Sequence, residues 1–553
     1  MLAPALLLLA LPALAAPAPA YTVTVGALGP WTTPDDTPAG SFIAADGTYW
    51  FQQAHALYGA SEGRAWSFFS GRDMDTATKH AISAAVDPGN PRDSNADTTW
   101  RCDFSPTGVV SSYANGSAAY SQRNYCDLAG VIGLVHNEFT PRPYADGLHF
   151  DGIDRAISAD GGKTWRITER IITSPYPTTR GDNSAFPEQT YIYGDGDPRL
   201  TVDVGTGYFY VYYGSRVVDK KGSWVAFYAH VARAPMSGKM RAGSWEKYYA
   251  GGWGEPGSGG RESNLVPVGT YATGYTPPEK EYKPTTPGSA AAQVAAGTAP
   301  PTSPLFVMDA TYSAHLGLFV AQPQAVDQSG KASQELYVSS DLVRWSLAGN
   351  TGSYTTASWY RWLLDPVSRT SSAIVGKAFR SYCSFGCSGG RSGEYVNLSL
   401  DGPAYVPVKG GRYAVSSGTG LSLAAGGVGA TAGRGDAVTL VRLDDGAYTL
   451  SVAAGRLAVD DAADAGRAWG AKLAVKGSAS VGAQWWIVPN RRADRSEDGT
   501  FRVISRYSGL ALSISANASR AVDTTPVRAW DAPAGGVGGG RTPAEQVIIF
   551  TPL

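Results

Sequence analysis

Ser158-Ala159-Asp160-Gly161-Gly162-Lys163-Thr164-Trp165 decides how this chain is read. Gly161 and Gly162 supply a tight turn, the Asp160 carboxylate can accept backbone N–H bonds inside it, and Trp165 opens the next strand as an apolar plug. Ser339-Ser340-Asp341-Leu342-Val343-Arg344-Trp345 is a shortened relative. Two turns of one design predict a repeated β unit, because repeats of roughly 40–50 residues are the mark of such arrays.

The first stretch matches Ser-x-Asp-x-Gly-x-x-Trp and resembles the Asp-box turn of sialidase-like β-propellers; the second resembles the Ser-Ser-Asp-Leu-x-x-Trp turn of family 43-like glycosidase propellers. Around them, short strand-like runs alternate with turn clusters from Tyr21 to Asp401. Examples are Thr48-Tyr49-Trp50-Phe51, Gly130 to His136, Tyr208-Phe209-Tyr210-Val211-Tyr212-Tyr213, Leu316 to Val320 and Glu335-Leu336-Tyr337-Val338. The resemblance implies an all-β fold with a five-bladed propeller over residues 21–402. About 380 residues over five blades leave roughly 75 for each, enough for four strands and long rim loops.

Composition agrees with an all-β chain: of 553 residues, 67 are Gly and 35 are Pro, while 43% are hydrophobic and 11% aromatic. Charged residues make up 17% and the formal net charge is −1, so no basic field draws phosphates or anionic lipid. Glycan, not nucleic acid or membrane, is the expected partner, and a monomer the expected state. Residues 1–20 read as a secretory signal, with the apolar core Leu6-Leu7-Leu8-Leu9-Ala10-Leu11 and small-residue cleavage candidates at Ala13-Leu14-Ala15 and Ala18-Pro19-Ala20. The mature protein is expected to be secreted and extracellular.

Four cysteines fall in two close pairs, Cys102 with Cys126 and Cys383 with Cys387, and an exported chain meets an oxidising environment, so two local disulfides are expected. A zinc site would need further soft ligands, and no His lies near Cys383 or Cys387 in the sequence. The Pro-, Thr-, Ala- and Gly-rich segment 273–304 has little apolar content with which to order itself and reads as an insertion within the propeller, with an interdomain linker as the alternative.

After Gly402 three similar lines follow: Tyr413-Ala414-Val415 leading to Gly420-Leu421-Ser422-Leu423, Tyr448-Thr449-Leu450 leading to Gly455 to Val459, and Phe501-Arg502-Val503 leading to Gly509-Leu510-Ala511-Leu512. Together with Gln484-Trp485-Trp486, and Gln546-Val547-Ile548 as a decayed copy of the same mark, they resemble a ricin B-type β-trefoil over residues 405–553. In such lectins an Asp, a stacking ring and a Gln or Asn grip the sugar. Asp460, Gln484 and Trp530 are the residues that carry over, with Asp461 beside Asp460, and no repeat is complete.

Glycoside cleavage needs two carboxyls in different environments, one protonated and one ionised. The uncharged run Gly130 to Val135 ends abruptly in His136-Asn137-Glu138, and alternation puts His136 and Glu138 on one face of a strand. Gly194-Asp195-Gly196-Asp197-Pro198 through Asp203 resembles the Asp-Pro-x-x-x-x-Asp line of family 43-like blades, which implies a catalytic or orienting role for Asp197 and places Asp195 beside it. The same stretch is good turn chemistry, and its carboxylates are also calcium-type ligands, although the spacing is not that of an EF-hand. No required cofactor is expected, and a structural Ca2+ is the alternative role for these residues. Glu188, Asp103, Asp309 and Asp36 complete the catalytic candidates. At Asp36 the usual Asp-Pro is interrupted by Thr37, which puts the family's general base in doubt. Sialidases usually show an Arg-Ile-Pro opening, which the chain lacks; serine-hydrolase chemistry has no Gly-x-Ser-x-Gly support worth the name, and no phosphate-cradling Walker loop occurs.

The reading that results is a secreted glycoside hydrolase, with Glu138 as acid, Asp197 as partner or orienting carboxylate, and a lectin-like C-terminal module. A non-catalytic carbohydrate-binding protein is the alternative, favoured by the broken Asp-Pro line.

Overall fold

The computed structural model describes residues 21–35, 37–55, 65–81, 117–127, 130–139, 150–158, 166–177, 182–324, 327, 329–358, 360–384, 386–527 and 541–553. They are almost entirely strands and turns, and the α-helix Ala290–Ala295 is the only one among them. No helix among them is long and apolar enough to cross a membrane.

Five antiparallel groups follow one another among these residues. The first is β2 (Gly40–Ile43), β3 (Tyr49–His55), β4 (Ala65–Gly71) and β5 (Thr78–Lys79). The second is β6 (Ser117–Asp127), β7 (Gly130–Phe139), β8 (Phe150–Ser158) and β9 (Arg166–Ile172). The third runs β10 (Thr190–Asp203), β11 (Tyr208–Asp219), β12 (Trp224–Pro235), β13 (Glu246–Tyr249) and β14 (Gly252–Pro256). The fourth is β15 (Asp309–Ser313), β16 (Leu318–Gln322), β17 (Ser333–Ser339) and β18 (Ser346–Thr355), with β20 (Ile374–Val375) added in parallel beside β15. The fifth is β19 (Arg361–Leu364), β21 (Ala378–Cys383) and β22 (Glu394–Asp401), completed by β1 (Thr22–Pro30), which pairs antiparallel with β22. The first strand thus completes the sheet formed by the last strands of residues 21–401. The first strands of neighbouring groups pack on one another: β2 on β6, β6 on β10, β10 on β15 and β15 on β19.

Both motif turns fall between the third and fourth strands of a group. Residues 159–165 lie outside the described residues, but the second turn shows the expected chemistry. Asp341 Oδ1 accepts from the N–H groups of Val343 at 3.0 Å and Arg344 at 2.8 Å, Leu342 takes φ 68°, and Trp345 is fully buried. Segment 273–304 departs from expectation: Tyr282, Ala290 and Ala299 are buried, and the short helix, capped by the Ser289 hydroxyl, packs on β11 and β12. A few well-placed apolar side chains hold it where its average composition offers little.

The described C-terminal residues form one thirteen-stranded sheet system from Gly411–Ser417 to Ile548–Pro552. Its core gathers Leu423, Tyr448, Leu457, Trp485, Val503 and Leu512, drawn from all three similar lines. Trp486, Val488, Ile504 and Val527 instead join the large core of the N-terminal groups, beside Leu200 and Tyr212. A cavity of about 170 Å³ at this junction is lined by Phe42, Leu200, Val202, Trp469, Leu510 and Val527. Polar contacts fix the same junction: Arg506 grips the fully buried Asp365 through Nε at 3.1 Å and a second nitrogen at 2.6 Å, and Arg495 meets Asp203 at 2.9 Å. Cys383 and Cys387 form a disulfide; Cys102 lies outside the described residues.

Candidate active site

Strand β10 carries the site. Its register against β11 breaks twice, between Ile192 and Asp195 and between Gly196 and Arg199. Within the second break Asp197, buried, takes φ 55°, a left-handed conformation that costs a non-glycine residue about 1–2 kcal/mol. A strained backbone held by its surroundings aims a side chain, and here it delivers the Asp197 carboxylate to Arg216.

Arg216, on β11, bonds two carboxylates from two groups: one terminal nitrogen reaches Asp197 Oδ2 at 2.5 Å and the other Asp151 Oδ2 at 2.8 Å. Burial alone would push the guanidinium pKa down, but Asp197 and Asp151 overturn that and hold it above its ordinary value. The rings of Trp224, Tyr193 and Phe306 surround it at 5.2, 5.3 and 5.7 Å. His136 joins this unit by accepting the Asp197 backbone N–H at Nδ1, 2.7 Å away, so a neutral imidazole carries its proton on Nε2. Gly196 permits the convergence: a Cβ there would stand 2.5 Å from the His136 ring and 2.6 Å from Asp151 Oδ2.

Two residues earlier, Asp195 begins a second unit. Lys247 Nζ donates to Asp195 Oδ2 at 3.1 Å and to Glu262 Oε2 at 2.5 Å, and also to the carbonyls of Thr173 and Gly260. Tyr213 donates to Glu262 at 2.9 Å. Burial first, and the Glu262 charge second, push the Asp195 carboxyl up to about 7 against the pull of Lys247. His230 completes this side: its Nδ1–H donates to the Ser263 carbonyl and its Nε2 accepts from the Ser215 hydroxyl at 2.7 Å. Burial pushes its pKa down to about 4, which keeps it neutral at neutral pH.

The structure thus brings His136 to Asp197 and sets Asp195 two residues away in the Lys247 unit. Glu138 lies two residues beyond His136 on β7, its backbone in register with Asp151 on β8; its side chain is outside the described residues. Asp309 is buried on β15, where its Oδ2 accepts the Leu363 N–H at 2.9 Å and ties the fourth group to the fifth. Glu188 is half-buried in the loop before β10, away from these bonds. Asp36, Asp103 and Trp530 lie outside the described residues. The neighbour of Asp36 is placed: the carbonyl of Thr37 accepts from Ser384 at 3.0 Å, at the seam of the first and fifth groups. Asp460 is exposed and paired with Lys476 at 2.8 Å, whereas Gln484 Oε1 accepts from Arg506 at 2.7 Å inside the junction. Asp195, Asp197 and Asp203 are each held by a different cation, and no group of three metal-ligating side chains occurs among the described residues.

Asp151, Arg216, Lys247, Glu262 and His230 were not legible as site residues. The signal was there for Arg216, the one cation in the strand Tyr208–Asp219, whose other side chains are apolar or uncharged up to its last residue. A lone charge in a buried strand needs a partner, and the partner marks the site.

No protein-family model matches the chain, and no curated protein sequence matches it. Among solved structures it is similar to glycoside hydrolases of several families. A family 117 glycoside hydrolase produced by the marine bacterium Zobellia galactanivorans is 11% identical, covers 69% of this chain and 90% of its own, and has a TM-score of 0.32. The GH43_1 enzyme from Xanthomonas citri, complexed with xylotriose, is 9% identical over 72% of this chain and 92% of its own, with a TM-score of 0.32. The GH32 β-fructofuranosidase of Bombyx mori is 11% identical over 96% and 92%, with a TM-score of 0.31. At such identities and TM-scores the likeness assigns no chemistry, which has to come from the residues themselves.

Proposed function

We propose that the chain is a secreted glycoside hydrolase that cleaves a polysaccharide or glycan by carboxylate acid/base chemistry. In this reading the five antiparallel groups are the blades of a propeller closed by β1, and residues 405–553 are a lectin-like trefoil that keeps the enzyme near its substrate. It acts as a monomer with no required cofactor. The observation that carries the reading is the Asp151–Arg216–Asp197 unit with His136 against it, built on a strained inner strand from two successive groups.

Two carboxylates share one guanidinium there, so the unit is one negative charge in excess where positive charge develops on a sugar ring. Asp197 serves as the ionised, orienting carboxylate and Glu138, next to Asp151 in register, as the acid. The C-terminal sheet packs beside Leu200 and Val202, toward the end of β10. Substrate therefore enters from the other end, where Asp195 and Asp197 stand, about 10 Å or more up the strand at 3.3 Å per residue.

Reducing-sugar release from plant, fungal and bacterial cell-wall polysaccharides tests this. Glu138→Gln and Asp197→Asn are each expected to lose about 10²–10⁴-fold in rate while still folding. Retention on a polysaccharide column without release from any substrate would favour the second reading, a carbohydrate-binding protein. Its supporting observation is that Asp197 and Asp151 are both buried and already ion-paired, as a purely structural unit would also be.

A further inference from the structure

Against the Lys247 side of the β10 site, and sharing Glu262, His230 and Ser215 with it, a cavity of about 350 Å³ opens beneath the segment that holds Pro278 to Lys283. Its walls include the rings of Tyr176, Tyr228, Tyr249 and Tyr282 and the carboxyls of Glu262 and Glu281. The volume is within the range of small-ligand sites.

The tyrosine hydroxyls are spent in the walls. Tyr176 donates to the Tyr282 carbonyl at 3.1 Å, Tyr228 to the Pro300 carbonyl at 3.1 Å, and the Tyr282 hydroxyl bonds Thr190 at 2.7 Å. The Tyr249 face carries the Arg261 guanidinium at 4.4 Å, so the rings left toward a guest are those of Tyr176, Tyr228 and Tyr282. Glu281 Oε1 accepts the Asn264 N–H at 2.9 Å, and no Lys or Arg among the described residues forms an ion pair with Glu281. Glu262 shares its one cation, Lys247, with Asp195. Two carboxyls thus divide one buried ammonium, and Glu281 lines the same cavity with no cation of its own among the described residues. Ring faces and acceptor oxygens are the two surfaces that an organic cation satisfies at once.

We infer that this cavity binds the ammonium group of a small organic ligand, with the tyrosine rings as its walls and Glu281 and Glu262 as its counter-charges. An amino sugar and an alkylamine, such as a lysine side chain, share that chemistry. The inference stands whether or not the β10 site hydrolyses a glycan. Burial, and then the Glu262 charge, push the Glu281 carboxyl up to about 8, so it holds a proton at neutral pH for want of a counter-charge. The other titratable groups around it are Glu262 and His230 across the cavity, the exposed Arg261 and Lys283, and the tyrosines; Arg261 is paired with Glu255. A bound ammonium would supply the missing charge, and Glu281 would release its proton.

Isothermal titration calorimetry at pH 7 of the full chain, run in two buffers of different ionisation enthalpy, tests this with glucosamine, N-acetylglucosamine, glucose and n-butylammonium. Glucosamine is expected to bind at least about tenfold more tightly than N-acetylglucosamine or glucose, with net proton release. Binding of n-butylammonium as tight as that of glucosamine would identify the amine, not the sugar, as what is recognised; much weaker binding would identify an amino sugar. Glu281→Gln should abolish the proton release and weaken glucosamine binding, and Tyr176→Leu should weaken it with the proton release kept. Neutral sugars binding as well as glucosamine, or no ammonium compound binding up to roughly 10 mM, would overturn the inference.

Discussion

Asp195 and Asp197 sit two residues apart on one strand, and each shares a buried cation with a second carboxylate, yet the two units behave differently. Arg216 offers separate nitrogens to Asp197 and Asp151 and is boxed by three rings, so each carboxylate has its own fixed bond. Lys247 is a point charge divided among four oxygens, and it leaves the Asp195 carboxyl raised to about 7. A planar guanidinium fixes geometry, whereas a shared ammonium leaves a proton free to come and go. The first unit is built to orient, the second to titrate.

The strongest way to break this comparison is to remove the guanidinium. Arg216→Met leaves Asp151 and Asp197 buried without their cation, and the expected cost is about 3–5 kcal/mol of stability with loss of any hydrolytic activity. Urea denaturation of the variant measures the first quantity. A variant as stable as the wild type would show that the two carboxylates do not form a charged unit with Arg216. Arg216→Lys, which keeps the charge and loses the fork, is expected to recover part of the stability and little of the activity.

The second unit is sharpened by pH. Asp195 is raised in the folded chain above its ordinary value of 3.8, so it binds its proton more tightly folded than unfolded. Its contribution to stability is fully present below about pH 4, is lost as pH rises to about 7, and is flat above that. Asp195→Asn lacks this slope. Relative to the wild type it is expected to gain stability steadily between pH 4 and 7, by on the order of 2–4 kcal/mol at the upper end. Glu281, raised to about 8 by burial and by Glu262, leaves a slope of the same sign and similar size in the variant. Urea midpoints across this range decide it, and parallel curves for the two proteins would refute a titrating Asp195.

Much of the fold was legible because turns and strands are local. The Ser339 to Trp345 turn forms the bonds its residue types demand, and strand runs such as Tyr208 to Tyr213 stand where their alternation put them. His136 was legible as the polar end of an apolar run, and Asp195 and Asp197 through the resemblance of their line to a known blade pattern. Their partners were not: Arg216 meets Asp151 across 65 positions and Lys247 meets Asp195 across 52, distances over which a sequence carries no pairing signal of its own. Segment 273–304 misled for the opposite reason. Its average composition is that of a loop, while the few side chains that decide its packing, Tyr282 and Ala290 among them, are too sparse to move an average.

The smallest expected effect distinguishes the two units at their edges. Trp224 is 40% exposed, yet its ring lies over Arg216 and 5.0 Å from Tyr193. An exposed tryptophan on a buried guanidinium can shield the ion pairs from water, present a face to a sugar, or do both. Trp224→Ala is expected to lower stability by about 0.5–1 kcal/mol, as one of three rings around the cation is removed. If the ring also stacks on substrate, KM for the cleaved polysaccharide rises several-fold while kcat holds, because a contact made equally in ground and transition states is lost. Loss of stability with KM unchanged would confine Trp224 to the wall of the arginine box. Among the described residues the ring over Lys247 is the buried Tyr213, so the same experiment shows whether the Arg216 side is the one that meets a sugar.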